Sequence, residues 1–383
     1  MNVFTHAQVH AFRLKRHHLE RPAQPGKIRD VVSDTCGIQA QVMSAAQLAL
    51  RVRSLGLSVA AIERALWQDR DLVKVWCMRG TLHVLPAHEL PVYVAALKPY
   101  RLNQEQRWMA RYGVDAAAIQ AMTEAILAAL GEIPLTRRQL SLRLKAELHK
   151  HAPQVMELVE HGWGGLGKYV CLQGDLCLGP NQGQEATFVR RDMWLDNWED
   201  VPGEEAEVLL LKRYLQAYGP ATVQDFSFWA GMSVKDASRI WRRLQSEMQD
   251  VTVAERTASV LKSDLPTLQE TKSAAEAVHL LPHFDVYLLA HRSKTHLVAE
   301  SHYKRVYRAA GWISPVVLVN GRVAGVWSQA RRGGVLQVTI ELFGKLSRYQ
   351  YAAIEKRAVD VANFFDSRLE IAYTSTAEAI PAN

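Results

Sequence analysis

The sequence predicts a mixed α/β fold, mainly α: three tandem winged helix-turn-helix domains followed by a small C-terminal β-barrel-like domain. Three observations lead there. Helix, short helix, longer helix and β-hairpin follow one another in that order across residues 208–264. The same order can be read twice more upstream, with no fixed-period repeat of sequence. From about residue 265 the hydrophobic period turns strand-like.

In residues 1–97, helices around Ala45–Leu55 and Val59–Leu66 precede strands Val73–Met78 and Thr81–Leu85, joined at Arg79-Gly80. In 98–181, the alanine-rich helix Ala116–Leu130 stops at Gly131 and Thr136 caps a helix running to Leu148. A short helix near Val155–Glu160 follows, then a wing of Tyr169–Leu172 and Leu176–Leu178 joined at Gly174-Asp175. Residues 182–207, rich in glycine and acid, form a linker. In 208–264, the helix Leu209–Tyr218 ends at Gly219-Pro220, and a short helix capped by Thr222 or Asp225 runs through Trp229 to Gly231. Ser233 caps Val234–Met248, and Val251–Val253 with Ser259–Leu261 make the hairpin. In 265–383, Ala277–Leu281, Val316–Val319, Arg322–Trp327 and Val335–Leu342 are strands, Asn320-Gly321 is a type I′ turn signal, and Tyr349–Phe365 is a helix.

With 383 residues, 48% hydrophobic and 22% charged, the chain has room for several cores and is not of disordered composition. It has no apolar run approaching the ~18 residues of a membrane span, and no apolar signal core near its start. A cytoplasmic protein is expected. The net charge of +7 favours a polyanionic partner. Basic residues gather in 1–30, 137–151 and 291–308, whereas 192–211 holds seven acids and no base. That segregation suits either a basic groove or scattered solvated faces. The cysteines at 36, 77, 171 and 177 lack metal-finger spacing, and His-Glu-x-x-His is absent. Neither metal nor cofactor is expected.

One short motif carries chemistry. Gly37-Ile38-Gln39-Ala40-Gln41 stands just before a helix that ends in basic residues. Met78-Arg79-Gly80-Thr81-Leu82-His83-Val84-Leu85-Pro86, His283-Phe284-Asp285, Val319-Asn320-Gly321-Arg322 and Gly325-Val326-Trp327 follow in order. Together these segments resemble the AlkZ-like family of winged-helix DNA glycosylases, in its Gln-x-Gln branch. The resemblance implies a monofunctional glycosylase that excises alkylated (N7 or N3, cationic) purines from double-stranded DNA, and leaves open whether it unhooks interstrand crosslinks. The resemblance assigns Gln39 and Gln41 the positioning of water. Three winged helices in one chain, with no zipper, make dimerisation unnecessary, so a monomer associated with the bacterial nucleoid is expected.

Residues i and i+2 of an α-helix lie about 200° apart and cannot share a target, so both glutamines should precede the helix. Two neutral amides can hold a water without a carboxylate's charge. Arg79 and Thr81 are candidate phosphate ligands at a wing tip, with Arg79 equally a solvated turn residue. His83 either contacts DNA or packs the wing on its core. Arg331 and Arg332, before Gly333-Gly334, form a hairpin tip able to approach the phosphate backbone, or a solvated loop. Asp285 is either an electrostatic stabiliser of the sugar cation or a cap and salt-bridge partner. A winged-helix transcription regulator without catalysis is the alternative function.

Overall fold

The structure is a computed structural model that describes residues 2–148, 165–272 and 276–374. The expected helix near Val155–Glu160 lies outside them. In chain order the elements begin with β1 (Asn2–Phe4), α1 (His6–Arg16), α2 (Ile28–Asp34), β2 (Ile38–Gln39), α3 (Met43–Arg51) and α4 (Val59–Trp67). Next come β3 (Leu72–Trp76), β4 (Leu82–Pro86), α5 (Leu90–Ala110), α6 (Ala116–Ala129), β5 (Leu135–Thr136), α7 (Arg137–Leu148) and α8 (Gly165–Gln173). β6 (Leu176–Gln182), β7 (Glu185–Arg190), α9 (Arg191–Trp194), α10 (Gly203–Tyr218), α11 (Val223–Ala230) and α12 (Val234–Leu244) follow. Then come β8 (Met248–Val253), β9 (Arg256–Leu261), α13 (Leu265–Glu270), β10 (Val278–Leu281) and α14 (Tyr303–Val306). The last are β11 (Val316–Val319), β12 (Arg322–Arg332), β13 (Val335–Leu342), α15 (Arg348–Phe364) and β14 (Arg368–Thr374).

These elements form two compact units, one of residues 1–62, 211–229 and 237–383, the other of 63–210 and 230–236. In the first, the hairpin β8–β9 turns at Ala254 and Glu255, both at positive φ, and β1 joins it as a parallel third strand beside β8. Phe4, Val9, Phe12, Val251, Val260 and Leu268 close the core beneath it. α10 begins at Gly203, earlier than the apolar period suggested. Glu204 and Glu205 lie in its first turn, where the helix dipole favours acids.

The C-terminal strands pair in the order β10-β11-β12-β13-β14. Asn320 and Gly321 both adopt positive φ, as a type I′ turn requires. The expected barrel does not form: among the described residues the sheet is open. The reason lies in α15, which carries the chain across so that β14 adds parallel to β13, at the end of the sheet away from β10. α15 packs against β10 and β14.

In the second unit β4, β3, β6, β7 and β5 pair in that order, with α5, α6 and α8 packed together. Here the sequence reading misplaced the wing. Tyr169–Leu172 is helical, within α8, and the hairpin is β6–β7. Gly174, at φ +96°, ends the helix rather than turning a hairpin. Its N–H donates to Cys171 O, and that of Asp175 to Val170 O, as in a helix C-cap.

Candidate catalytic and DNA-binding site

α2 stops where Cys36 and Gly37 both enter the left-handed region, at φ 53° and 85°. The Gly37 N–H donates to Val32 O at 2.8 Å, closing the helix end. The chain leaves as the short strand β2, so Gln39 and Gln41 stand in non-helical backbone ahead of α3, as the i, i+2 spacing demands. Gln39 is 6% exposed, Ala40 is buried and Gln41 is exposed. Val42 occupies the N-cap of α3 and offers no side-chain acceptor to the first helical N–H groups. Both ends of α3 are anchored on one apolar cluster, since Val42 and Val52 pack against residues that include Phe284, Tyr287 and Leu288.

Just beyond α3, Arg53 is fully buried and pairs in bidentate fashion with Asp285, Nη1 to Oδ2 at 2.8 Å and Nη2 to Oδ1 at 2.7 Å. Nη1 also donates to Ala49 O, capping α3. Asp285 accepts from the Tyr287 N–H as well. Of the two roles open to Asp285, the structure shows cap and salt-bridge partner. Its charge is neutralised, and its work is to fix the helix that follows the glutamines.

The first hairpin turn gathers three more of the expected residues. Arg79 sits at φ 56°, a left-handed position, with Nη2 3.5 Å from His83 Nε2. Thr81 Oγ1 donates to Met78 O, and its carbonyl lies 2.9 Å from His83 Nδ1. His83 is 1% exposed, and burial together with Arg79 pushes its pKa down to about 3. Of the two roles open to it, this burial favours packing of the hairpin on its core, behind Arg79. Arg79 and Thr81 are half-buried at the surface.

Arg331 and Arg332 close β12 at an exposed hairpin tip whose turn is Gly333-Gly334. Other residues of the basic segments face inward. Arg13 is buried and donates to Tyr218 O and Pro220 O, and Lys294 is buried with Nζ on Leu288 O. Linear charge density therefore overstated the basic face. Sequence reading also passed over Arg101 and Lys168, which lie against the Arg79-Gly80 turn, and the exposed Trp312, 5.1 Å from the Phe284 ring. It passed over a histidine cluster too, in which the His6, His10 and His296 rings are 5.9–6.2 Å apart. Among the described residues no group of three His, Cys, Asp or Glu is arranged to hold a metal ion. The four cysteines are buried free thiols. No helix among the described residues is long and apolar enough to cross a membrane.

The sequence model of the AlkZ-like DNA glycosylases matches residues 32–364. The chain belongs to this family. A curated relative, the interstrand DNA cross-link repair glycosylase of Streptomyces sahachiroi, is 35% identical over 361 residues, covering 93% of this chain and 95% of the relative. The solved structure of Streptomyces sahachiroi DNA glycosylase AlkZ superposes with a TM-score of 0.84 at 33% identity, covering 98% of this chain and 100% of that one. The chain is thus a DNA glycosylase, a hydrolase of N-glycosyl bonds. A transcription regulator without catalysis is not favoured.

Proposed function

We propose that this glycosylase removes N7- or N3-alkylated, cationic purines from double-stranded DNA, with Gln39 and Gln41 positioning the attacking water. The observation that carries the reading is the placement of both amides in the non-helical link between α2 and α3, one buried and one open to solvent. Each amide offers an acceptor oxygen and N–H donors, so a water can be held in a defined orientation. Water oxygen bonds to C1′ as the C1′–N9 bond breaks. The bonding pair leaves with the purine and neutralises its charge, and the proton from water passes to solvent. Because the leaving group is already activated, no strong base is needed. Neutral amides also put no charge beside the developing sugar cation. Asp285 cannot serve as the stabilising anion while Arg53 holds both its oxygens.

The same proposal includes crosslinked purines as substrates, supported by the name of the curated relative. It also takes the protein to act as a monomer in the bacterial cytoplasm, at the nucleoid. It reads residues 1–97, 98–181 and 208–264 as winged helices. In favour are the helix–helix–helix–hairpin order α10, α11, α12, β8–β9 and the hairpins β3–β4 and β6–β7. The hairpin β6–β7 runs on to Arg190, so the second of these domains extends past 181 and the connector expected at 182–207 shrinks to the stretch between α9 and α10. The region from 265 onward completes the domain plan.

Single-turnover release of N7-methylguanine tests the catalytic assignment. Gln39→Ala and Gln41→Ala should each slow release by roughly 10- to 1000-fold while changing DNA affinity far less. The double variant should lose less than the product of the singles if both amides orient one water. Wild-type rates in all three variants would remove the glutamines from the mechanism. A wild-type protein that binds DNA but releases no cationic base would sink the substrate reading itself.

A further inference from the structure

The turn Arg79-Gly80 between β3 and β4 gathers more than one cation. Two glycines there allow cations to come unusually close to the backbone. A Cβ placed on Gly80 would lie 3.0 Å from Lys168 Nζ and 3.9 Å from Arg101 Nη1. One placed on Gly231 would lie 2.6 Å from Arg101 Nη2 and 3.0 Å from Arg79 Cα. Arg101, from the middle of α5, and Lys168, from α8, are thus brought to the same turn as Arg79 although they are far apart in sequence. Arg101 is only 5% exposed, yet its Nε and Nη2 have no hydrogen-bond partner among the described residues. Burial pulls its pKa below the usual arginine value, with the neighbouring Glu105 acting in the opposite sense. Lys168 Nζ is held 2.6 Å from Glu105 Oε1, both side chains being mostly buried. A guanidinium stripped of water and left with idle donors is costly unless an anion completes it.

We infer that Arg101, Lys168 and Arg79 form a phosphate-binding site that grips a phosphodiester of the DNA backbone at the Arg79-Gly80 turn. The inference rests on the glycosylase reading for its ligand, but not on the roles of Gln39 and Gln41. The guanidinium supplies directional N–H donors to phosphate oxygens and Lys168 a point charge, and the glycines let both cations gather at the turn. Glu105 holds Lys168 in place while DNA is absent and weakens the site electrostatically.

The opposed effects of Lys168 and Glu105 test this. Binding of the full-length protein to an undamaged duplex would be measured as a function of salt. Lys168→Met should weaken binding about three- to tenfold and flatten the log–log salt dependence by roughly 0.9, the loss of one phosphate contact. Lys168→Arg should restore both. Glu105→Gln should tighten binding two- to threefold, although it breaks a buried ion pair and lowers the melting temperature. A purely structural pair would give no such gain. Should Arg101→Met fail to fold, Arg79→Asn, which tolerates the left-handed turn, supplies a further variant expected to flatten the salt dependence. Unchanged salt slopes in Lys168→Met and Arg79→Asn, or weaker binding by Glu105→Gln, would overturn the site. Absence of base release by the wild-type protein would instead count against the substrate reading, which these binding data leave separate.

Discussion

Arg53 and Asp285 form a buried ion pair that caps the helix following the two glutamines. Both are removed from water, so each charge is stable only through the other and through the bonds to Ala49 O and the Tyr287 N–H. Breaking such a pair by neutralising one partner leaves an uncompensated buried charge, a loss of about 3–5 kcal/mol. Asp285→Asn should therefore lower the melting temperature sharply, while molecules that remain folded keep a base-release rate within a few-fold of wild type. A folded, stable Asp285→Asn protein with a rate down a thousandfold would instead restore Asp285 to the reacting centre. The contrast with the glutamines explains what sequence could reveal. The non-helical placement of Gln39 and Gln41 was legible because helical periodicity begins only after Gln41 and Gly37 stands before them. His83 was not resolved, because whether a hairpin histidine faces DNA or core depends on strands packed from elsewhere. Arg101 was missed altogether, since nothing local marks an arginine in the middle of a long helix as buried.

At the scale of elements, most assignments were readable because caps and turns are local. Thr136 and Gln139 exchange the two bonds of a capping box at the start of α7, and Ser233 accepts from the Asp236 N–H at α12. The failures were cases where one signal serves two structures. Gly174 could end a helix or turn a hairpin, and only the packing of α8 against α5 and α6 decided between them. The open C-terminal sheet was likewise decided by a crossover that strand patterning does not encode. The β12–β13 hairpin was foreseen, and its tip carries a prediction. Arg331 and Arg332 are exposed beside two glycines at positive φ, where the backbone can come near a phosphate backbone or minor groove. Replacing both arginines with alanine should weaken DNA binding or slow excision at subsaturating enzyme, without changing the melting temperature by more than a degree or two. Excision kinetics identical to wild type would make the tip a solvated loop.

Across the whole molecule, the basic balance of the sequence meets an interior that holds histidines in the neutral form. His10 is pushed down to about pKa 3 by burial first, then by Arg13, His6 and Arg322. His279 is pushed to about the same value by burial, then by Arg357 and Arg53. Burial also lowers His17, His291 and His296 well below 6.5, with Arg13 adding to each and Lys294 adding to His291 and His296. In the unfolded chain these imidazoles take up protons as pH falls through about 6.5, whereas in the folded protein they do not until far lower. The unfolded state therefore binds more protons across the window from about 6.5 down to about 3, and stability must fall with pH throughout it. His10 and His279, kept neutral down to about pH 3, each cost roughly 2 kcal/mol of stability at pH 5. Melting temperature should hold near pH 7–8 and drop steeply between pH 6.5 and 5, above the range where paired carboxylates usually dominate acid unfolding. His10→Gln should make that drop shallower by removing one titrating group. A melting temperature that stays level from pH 7 to pH 5 would show that these histidines are protonated, and tolerated, in the folded protein.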